Sequence, residues 1–424
     1  MRVRRKSSPL PELPDLAARA SPHVPPRPAV PRFSLIFQRV KPAPIYLDHA
    51  ATTPVRPEVL EAMAPFFDAR FGNPSSTHRW GREARTALDE ARERVAACLG
   101  AASDEVCFTS GGTEADNLAI LGAWRMLRGR GRSAVVTSPT EHKAVLEAVH
   151  QAGREGAEER FIAVDAAGTV QLDDARAKIS GDVALVSVMW INNEVGTVQP
   201  IGELAAMCKA SGAIFHTDAV QAFGKVEVDA RKIPFDFASL SGHKIGAPKG
   251  IGAMFLRRGA PLEPLFFGGS QDRGRRPGTE NVAFAVGLAK ACELANAERG
   301  EHTAKYRAWR DRLEAAIRAQ VTDVVVNGDG ADRAPHILNV SVPGVDSQSF
   351  LMALDLHGIA CSGGSACQSG STGGSHVLAA MHPKASAGAS VRMSVGTLTD
   401  DAAIARAAEV FTKLALKARG MVTA

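Results

Sequence analysis

Four short stretches of this 424-residue chain hold residue types suited to chemistry rather than packing. Lys244 stands in Ser241-Gly-His-Lys244-Ile-Gly-Ala-Pro-Lys-Gly250, directly after an apolar run. Between glycines it has little helix or core role, and desolvation there would lower its pKa toward a reactive amine suited to a Schiff base. An exposed loop lysine is the other reading. Asp218 follows the apolar run 213–217 in His216-Thr-Asp-Ala-Val-Gln221. A half-buried carboxylate needs a cationic partner such as a protonated ring nitrogen, or several donors; a helix N-cap is the alternative. In Val106-Cys-Phe-Thr-Ser-Gly-Gly-Thr-Glu114 a strand pattern turns through small residues into a helix pattern. That turn suits a phosphate, because a helix N-terminus offers unpaired N–H groups and positive potential. An ordinary strand–helix turn with Thr113 as N-cap is the plainer option. Finally, Cys361-Ser-Gly-Gly-Ser-Ala-Cys367-Gln-Ser-Gly-Ser-Thr-Gly-Gly-Ser375 holds five glycines and five serines in fifteen residues. A thiol at Cys367, in a flexible polar loop, would be accessible and reactive, unless the stretch is a linker with incidental cysteines.

Together, a phosphate cradle, an activated lysine, a buried aspartate and an accessible thiol describe a pyridoxal-phosphate enzyme with a sulfur nucleophile. The other cysteines, Cys98, Cys107, Cys208 and Cys292, fall within helix or strand patterns and are expected in the core. Six cysteines in irregular spacing, with no C-x-x-C pair and no zinc-like Cys/His cluster, argue against a disulfide scaffold or a structural metal. Free thiols in a reducing, cytoplasmic compartment are expected.

These residues need elements to position them. Apolar runs at 106–109, 134–137, 184–189, 214–217, 237–240 and 252–256 alternate with helical patterns at 83–99, 114–127, 143–151 and 201–210. That alternation predicts an α/β fold, with a mostly parallel sheet covered on both faces. A long helical pattern over 283–320 then leads to strands near 336–341 and 391–394, a change of rhythm that predicts a smaller α+β domain. The chain is 45% hydrophobic and has no apolar run long enough to span a bilayer, so no membrane partner is expected. Its net charge of +5 is misleading, because residues 1–44 hold nine Lys/Arg against two Asp/Glu, leaving 41 against 43 in the rest. The body is nearly neutral and gives no case for nucleic acid. Residues 1–44 also hold ten of the 24 prolines and read as a disordered tail. An Arg-rich targeting peptide or a partner-binding arm are the other readings, the prolines opposing the amphipathic helix of the former.

The sequence resembles the cysteine desulfurases of the NifS/IscS type, within the class V aminotransferase fold. The likeness runs from about residue 45 to 399, through Tyr46-Leu-Asp-His-Ala-Ala-Thr-Thr-Pro54, Gly72-Asn-Pro-Ser-Ser-Thr-His78, Thr109-Ser-Gly-Gly-Thr-Glu114, Thr140-Glu-His-Lys143, Asn192-Asn-Glu-Val-Gly196, Ser241-Gly-His-Lys244, Arg276-Pro-Gly-Thr279, Gly364-Ser-Ala-Cys367 and Val391-Arg-Met-Ser394. The resemblance implies a fold type I pyridoxal-phosphate enzyme, with a seven-stranded large domain at 58–287 and a small domain of 45–57 plus 288–424. It implies that Lys244 carries the cofactor, that Asp218 pairs with its ring nitrogen, and that Gln221 bonds its ring hydroxyl. His142 would stack on the ring, and Asn193 would lie near cofactor and substrate. Gly112, Thr113, Ser241 and His243 would hold the phosphate, with Thr279 supplied by the partner of a homodimer. Arg392 would bind the substrate carboxylate as a bidentate fork. Judged from the residues alone, His142 would be a capping histidine and Arg392 a surface arginine.

The activity so implied is release of sulfur from L-cysteine, giving L-alanine and a persulfide on Cys367 for delivery to an Fe–S scaffold or other acceptor protein. No resident metal is expected, Cys367 being at most a transient cluster ligand. Another pyridoxal-phosphate enzyme, such as a selenocysteine lyase or aminotransferase, and a non-catalytic assembly factor are the alternatives. The chain departs from the family pattern at Ala247, Gly363, Gln368 and Thr372-Gly-Gly374, changes that should loosen the cysteine loop.

Overall fold

The computed structural model describes residues 43–363, 374–383 and 389–420. Most of the expected tail and Cys367 lie outside the described residues. After β1 (Ile45–Tyr46), seven strands form the main sheet: β2 (Val106–Thr109), β3 (Ala134–Thr137), β4 (Glu158–Phe161), β5 (Val183–Ser187), β6 (Ile214–Asp218), β7 (Phe237–Ser241) and β8 (Gly252–Leu256). Their spatial order is β2-β8-β7-β6-β5-β3-β4. Four of the six pairings are parallel, and β8 runs antiparallel to both its neighbours.

Alternate residues of each strand point to opposite faces. Ala134 and Val136 therefore pack with Leu88, Val95, Leu204 and Val286 on one face, while Val135 packs with Leu118, Trp124 and Val145 on the other. Both faces are covered by helices, which is why the central strands read as continuous apolar runs. β4 is the exception. It is an edge strand of sequence Glu-Glu-Arg-Phe with no fully buried residue, so no apolar run announced it.

The smaller sheet is antiparallel, in the order β12 (Ala389–Ser394), β10 (Ile337–Val342), β9 (Val325–Val326). β1 pairs separately with β11 (Ile359–Ala360) in parallel. Leu313, Leu338, Val340, Phe350, Val391 and Phe411 share an apolar cluster with Leu47, so the first described segment packs with the last third of the chain. The helical pattern over 283–320 resolves into two helices, Val282–Ala297 and Arg299–Gln320, joined through Glu298. Cys107, Cys208 and Cys292 are buried as expected, whereas Cys98 is only half-buried. No helix among the described residues is long and apolar enough to cross a membrane.

Candidate active site

Strand ends and helix starts of the main sheet meet at a cavity of about 460 Å³. The Thr-Ser-Gly-Gly turn forms one side of it. Gly111 caps the helix Gly112–Leu127 at φ 154° and ψ −174°, a backbone region open essentially to glycine alone. A Cβ on Gly112 would meet Val220 Cγ2 at 2.8 Å, so this position has to stay small. Glu114 steadies the turn, accepting from the Ser110 amide at 2.8 Å and from Arg276 at 2.9 Å. The cap is therefore glycine rather than Thr113, and Thr113 lies inside the first helical turn. Ser241 and His243 line the same cavity. Burial and the nearby Lys244 and Lys249 push His243 down to about 4, so its imidazole is neutral near pH 7.

Lys244 closes a short 3₁₀ turn after β7. Its Nζ donates to the carbonyls of Ala50 and Ala51, both at 2.7 Å. Those carbonyls belong to the Tyr46–Pro54 stretch, which also sends Thr53 to the carbonyl of His243 and Thr52 to its ring. A segment almost two hundred residues away in sequence thus aims the lysine. Asp218 ends β6 and is buried. Burial raises its pKa, opposed by His142, a backbone N–H and Lys244. Its carboxylate accepts from the Val220 amide at 2.8 Å. The N-cap reading of Asp218 fails, since no helix starts there. A buried carboxylate on the cavity wall is stabilised by a cation, and a protonated ring nitrogen would supply one there.

His142 is the capping histidine that its residue type suggests, and it also stands at the cavity. It caps the helix Lys143–Arg154 by accepting from the Ala144 amide at 3.1 Å, and it lines the cavity. Arg392, in contrast, is no surface arginine: it is 1% exposed and reaches the cavity from β12. It donates to Asp48 Oδ1 at 2.7 Å and to the Asn193 carbonyl at 2.8 Å, while its Nε has no partner. Asn193 and Gln221 complete the expected set on this cavity. Thr279 is not among them; it lines a neighbouring cavity of about 260 Å³ that shares Ser110 and Gly250 with the first. Cys361 follows β11 as a half-buried thiol, pushed up to about 12 by burial and by Asp48.

Sequence reasoning assigned no role to several residues at this cavity. Asp48, within the Tyr46–Pro54 stretch, stands behind the cavity wall, where it accepts from Arg392. Asp116, one helical turn beyond the Gly-Gly cap, is 1% exposed and held well above the usual carboxylate range by burial and by Asp218. A carboxylate on an otherwise apolar helix face was the available signal. His376 directly follows the Ser/Gly stretch, lines the cavity, and has its Nε2 on the Glu141 carbonyl at 2.9 Å. The stretch beside it had drawn attention to thiols only.

The residues present fit a pyridoxal phosphate: glycine-lined helix N–H groups for an anion, a lysine amine on the wall, and a buried acid facing the same cavity. Comparison with known proteins points the same way. The sequence profile of the family "Aminotransferase class-V" matches residues 45–406. The chain belongs to the class-V aminotransferase family. Within it, the chain is 45% identical over 356 residues to the cysteine desulfurase IscS of Dictyoglomus turgidum, covering 84% of this chain and 90% of that protein. It is also 45% identical over 380 residues to a cysteine desulfurase of Gluconacetobacter diazotrophicus, covering 89% and 94%. A solved NifS-like protein superposes with a TM-score of 0.82 at 33% identity, over 88% of this chain and 99% of that one. This class-V member therefore shares fold and length with NifS/IscS-type relatives.

Proposed function

We propose that this chain is a pyridoxal-phosphate-dependent cysteine desulfurase, converting L-cysteine to L-alanine and leaving the sulfur as a persulfide on Cys367. The observation that carries it is the convergence of Lys244, Asp218 and Arg392 on one cavity, with a cysteine in the Ser/Gly stretch between β11 and β12. Pyridoxal phosphate would be held by Gly112, Thr113, Ser241 and His243 at its phosphate, by Asp218 and Gln221 at its ring, with His142 on the ring face. When bound, it supplies an electron sink for the substrate α-carbon.

The protein's own groups do the rest. Arg392 takes the substrate carboxylate, and Asp48 fixes the guanidinium plane from behind. Asn193 stands beside it through its carbonyl. Lys244 takes the α-proton as general base, placed by the Ala50 and Ala51 carbonyls. Asp218 keeps the ring nitrogen protonated. The Cys367 thiolate attacks the substrate sulfur: an S–S bond forms, the C–S bond breaks, and its electron pair stays on the carbon fragment. Protonated at that carbon, and at the α-carbon by the proton that Lys244 had taken, the fragment leaves as L-alanine, so sulfur and protons balance. The chemistry requires Cys367 to reach this cavity and then an acceptor, for which an Fe–S scaffold protein is the proposed partner. The same reading makes the enzyme a homodimer, because Thr279 of one protomer sits off its own cavity and would serve its partner's. It also places the domain division at 58–287 against 45–57 with 288–424, supported by Leu47 packing with Val391.

The test is direct. Purified protein supplied with pyridoxal phosphate and L-cysteine should form alanine and a persulfide mapped to Cys367 by peptide mass. A keto acid in place of alanine would favour an aminotransferase, and absence of any visible chromophore would favour a non-catalytic factor.

A further inference from the structure

Gln221 is clamped at both ends of its amide. Its Nε2 donates to the Ala50 carbonyl at 2.9 Å, and its Oε1 lies 3.2 Å from His336 Nε2. A carbonyl oxygen can only accept, so the amide nitrogen must face Ala50 and the amide oxygen must face His336. His336 Nε2 then has to be the protonated nitrogen. Its Nδ1 is bare and has no partner. Consistently, burial and the neighbouring Lys225, His49, Arg392 and Arg310 hold the imidazole well below its usual pKa, hence neutral. His336 is 3% exposed and immediately precedes β10, whereas Gln221 follows β6 of the main sheet. The contact thus crosses from the small sheet to the large one.

We propose that His336 is a positioning residue: its Nε2–H holds the Gln221 amide oxygen, so that Gln221 presents a hydrogen-bond donor, not an acceptor, to the 460 Å³ cavity. Gln221 lines that cavity, and one of its two amide hydrogens is taken by Ala50. The second is left for the cavity side. Without His336 the amide oxygen would be buried with no donor, and a turned amide would relieve it. The cavity would then meet a carbonyl oxygen where a donor had been. This rests on the proposed cofactor reading, in which Gln221 faces the ring hydroxyl. A donor there stabilises the ring oxygen as an anion, and so lowers the proton affinity of the neighbouring lysine–cofactor nitrogen.

The experiment compares His336→Phe, which removes the donor, with His336→Asn, which retains an N–H, and with Gln221→Leu. Holoprotein is titrated with pH, and the midpoint of its visible absorbance change is read. His336→Phe and Gln221→Leu should each move the midpoint upward by about one pH unit, with no further shift in the double variant. His336→Asn should stay near the parent. An unmoved midpoint in His336→Phe, or independent and additive shifts, would overturn the clamp. A moved midpoint in His336→Phe with none in Gln221→Leu would do the same. Ring-nitrogen NMR shifts of His336, read in protein without cofactor, test the tautomer separately. Nε2–H is expected; the Nδ1–H form refutes the proposal even where a chromophore is lacking. Loss of the chromophore from the parent, with the Nε2–H tautomer intact, would instead count against the cofactor reading alone.

Discussion

Arg392 Nη2 donates to Asp48 Oδ1 at 2.7 Å, joining residues 344 apart in sequence. Ser362 Oγ donates to the same Asp48 oxygen at 3.0 Å, so the pair is also tied to the strand end that precedes the cysteine segment. Arg392 is almost wholly buried and Asp48 about four-fifths so. A buried guanidinium is tolerable only because this carboxylate and the Asn193 carbonyl receive it.

Removing that partner should therefore be felt in stability as well as catalysis. Asp48→Ala leaves a buried cation uncompensated and is expected to cost ~2–4 kcal/mol in chemical denaturation. Arg392→Ala should raise KM for L-cysteine by at least about tenfold, through loss of a bidentate carboxylate contact. Arg392→Lys should restore little of it, because an ammonium cannot form the fork. Wild-type KM in Arg392→Ala would show that the substrate carboxylate binds elsewhere.

Lys244→Ala should remove both turnover and the visible absorbance that a lysine-linked cofactor gives. The phosphate contacts remain in the variant, so the spectrum is diagnostic rather than the amount of cofactor bound. Alanine still released from cysteine by this variant would sink the assignment.

The two cysteines flanking Ser362–Ala366 should behave oppositely. Cys361 has its thiol pushed up to about 12, so it is protonated and a poor nucleophile near pH 7. Cys361→Ser should keep most activity. Cys367→Ser should bind the cofactor yet release almost no sulfide, since a hydroxyl neither attacks sulfur well nor holds a persulfide. Labelled sulfur found on Cys361 would reverse the assignment.

Acid should destabilise the protein partly through His216. This ring is 0% exposed, lies between Ser187 and Ser239 at 2.8 and 2.9 Å, and is pushed down to about 3 by burial. Unfolded, it would titrate near 6.5. Between those values the unfolded chain binds the extra proton, so the contribution is present above pH 6.5 and is lost as pH falls toward 3. The loss is on the order of a few kcal/mol. His216→Gln keeps hydrogen-bonding groups without the titration, and its Tm should fall less steeply than the parent's between pH 6.5 and 4. Parallel Tm profiles would assign the acid sensitivity to other groups.

Local patterning was enough to determine the layout of this protein. Strands covered on both faces must be apolar throughout, so β2, β3, β5, β6, β7 and β8 could be located from Val, Ile, Phe and Ala runs alone. The Gly-Gly turn, the loop lysine and the strand-end aspartate were legible for the same reason: each is a residue type that its local position does not otherwise need. β4 was not legible, because an edge strand buries too little to require apolar residues. Nor could sequence decide whether Arg392 was surface or site. Its burial depends on Asp48 and Asn193, brought to it by the pairing of β1 with β11 and by the bridge from Asp48 to Ser394. Asp116 and His336 became meaningful only through neighbours more than a hundred residues away, Asp218 and Gln221. Hydrophobic period is written residue by residue along the chain. The charge and hydrogen-bond partners of a buried polar group are set by whichever distant segments the fold brings to it.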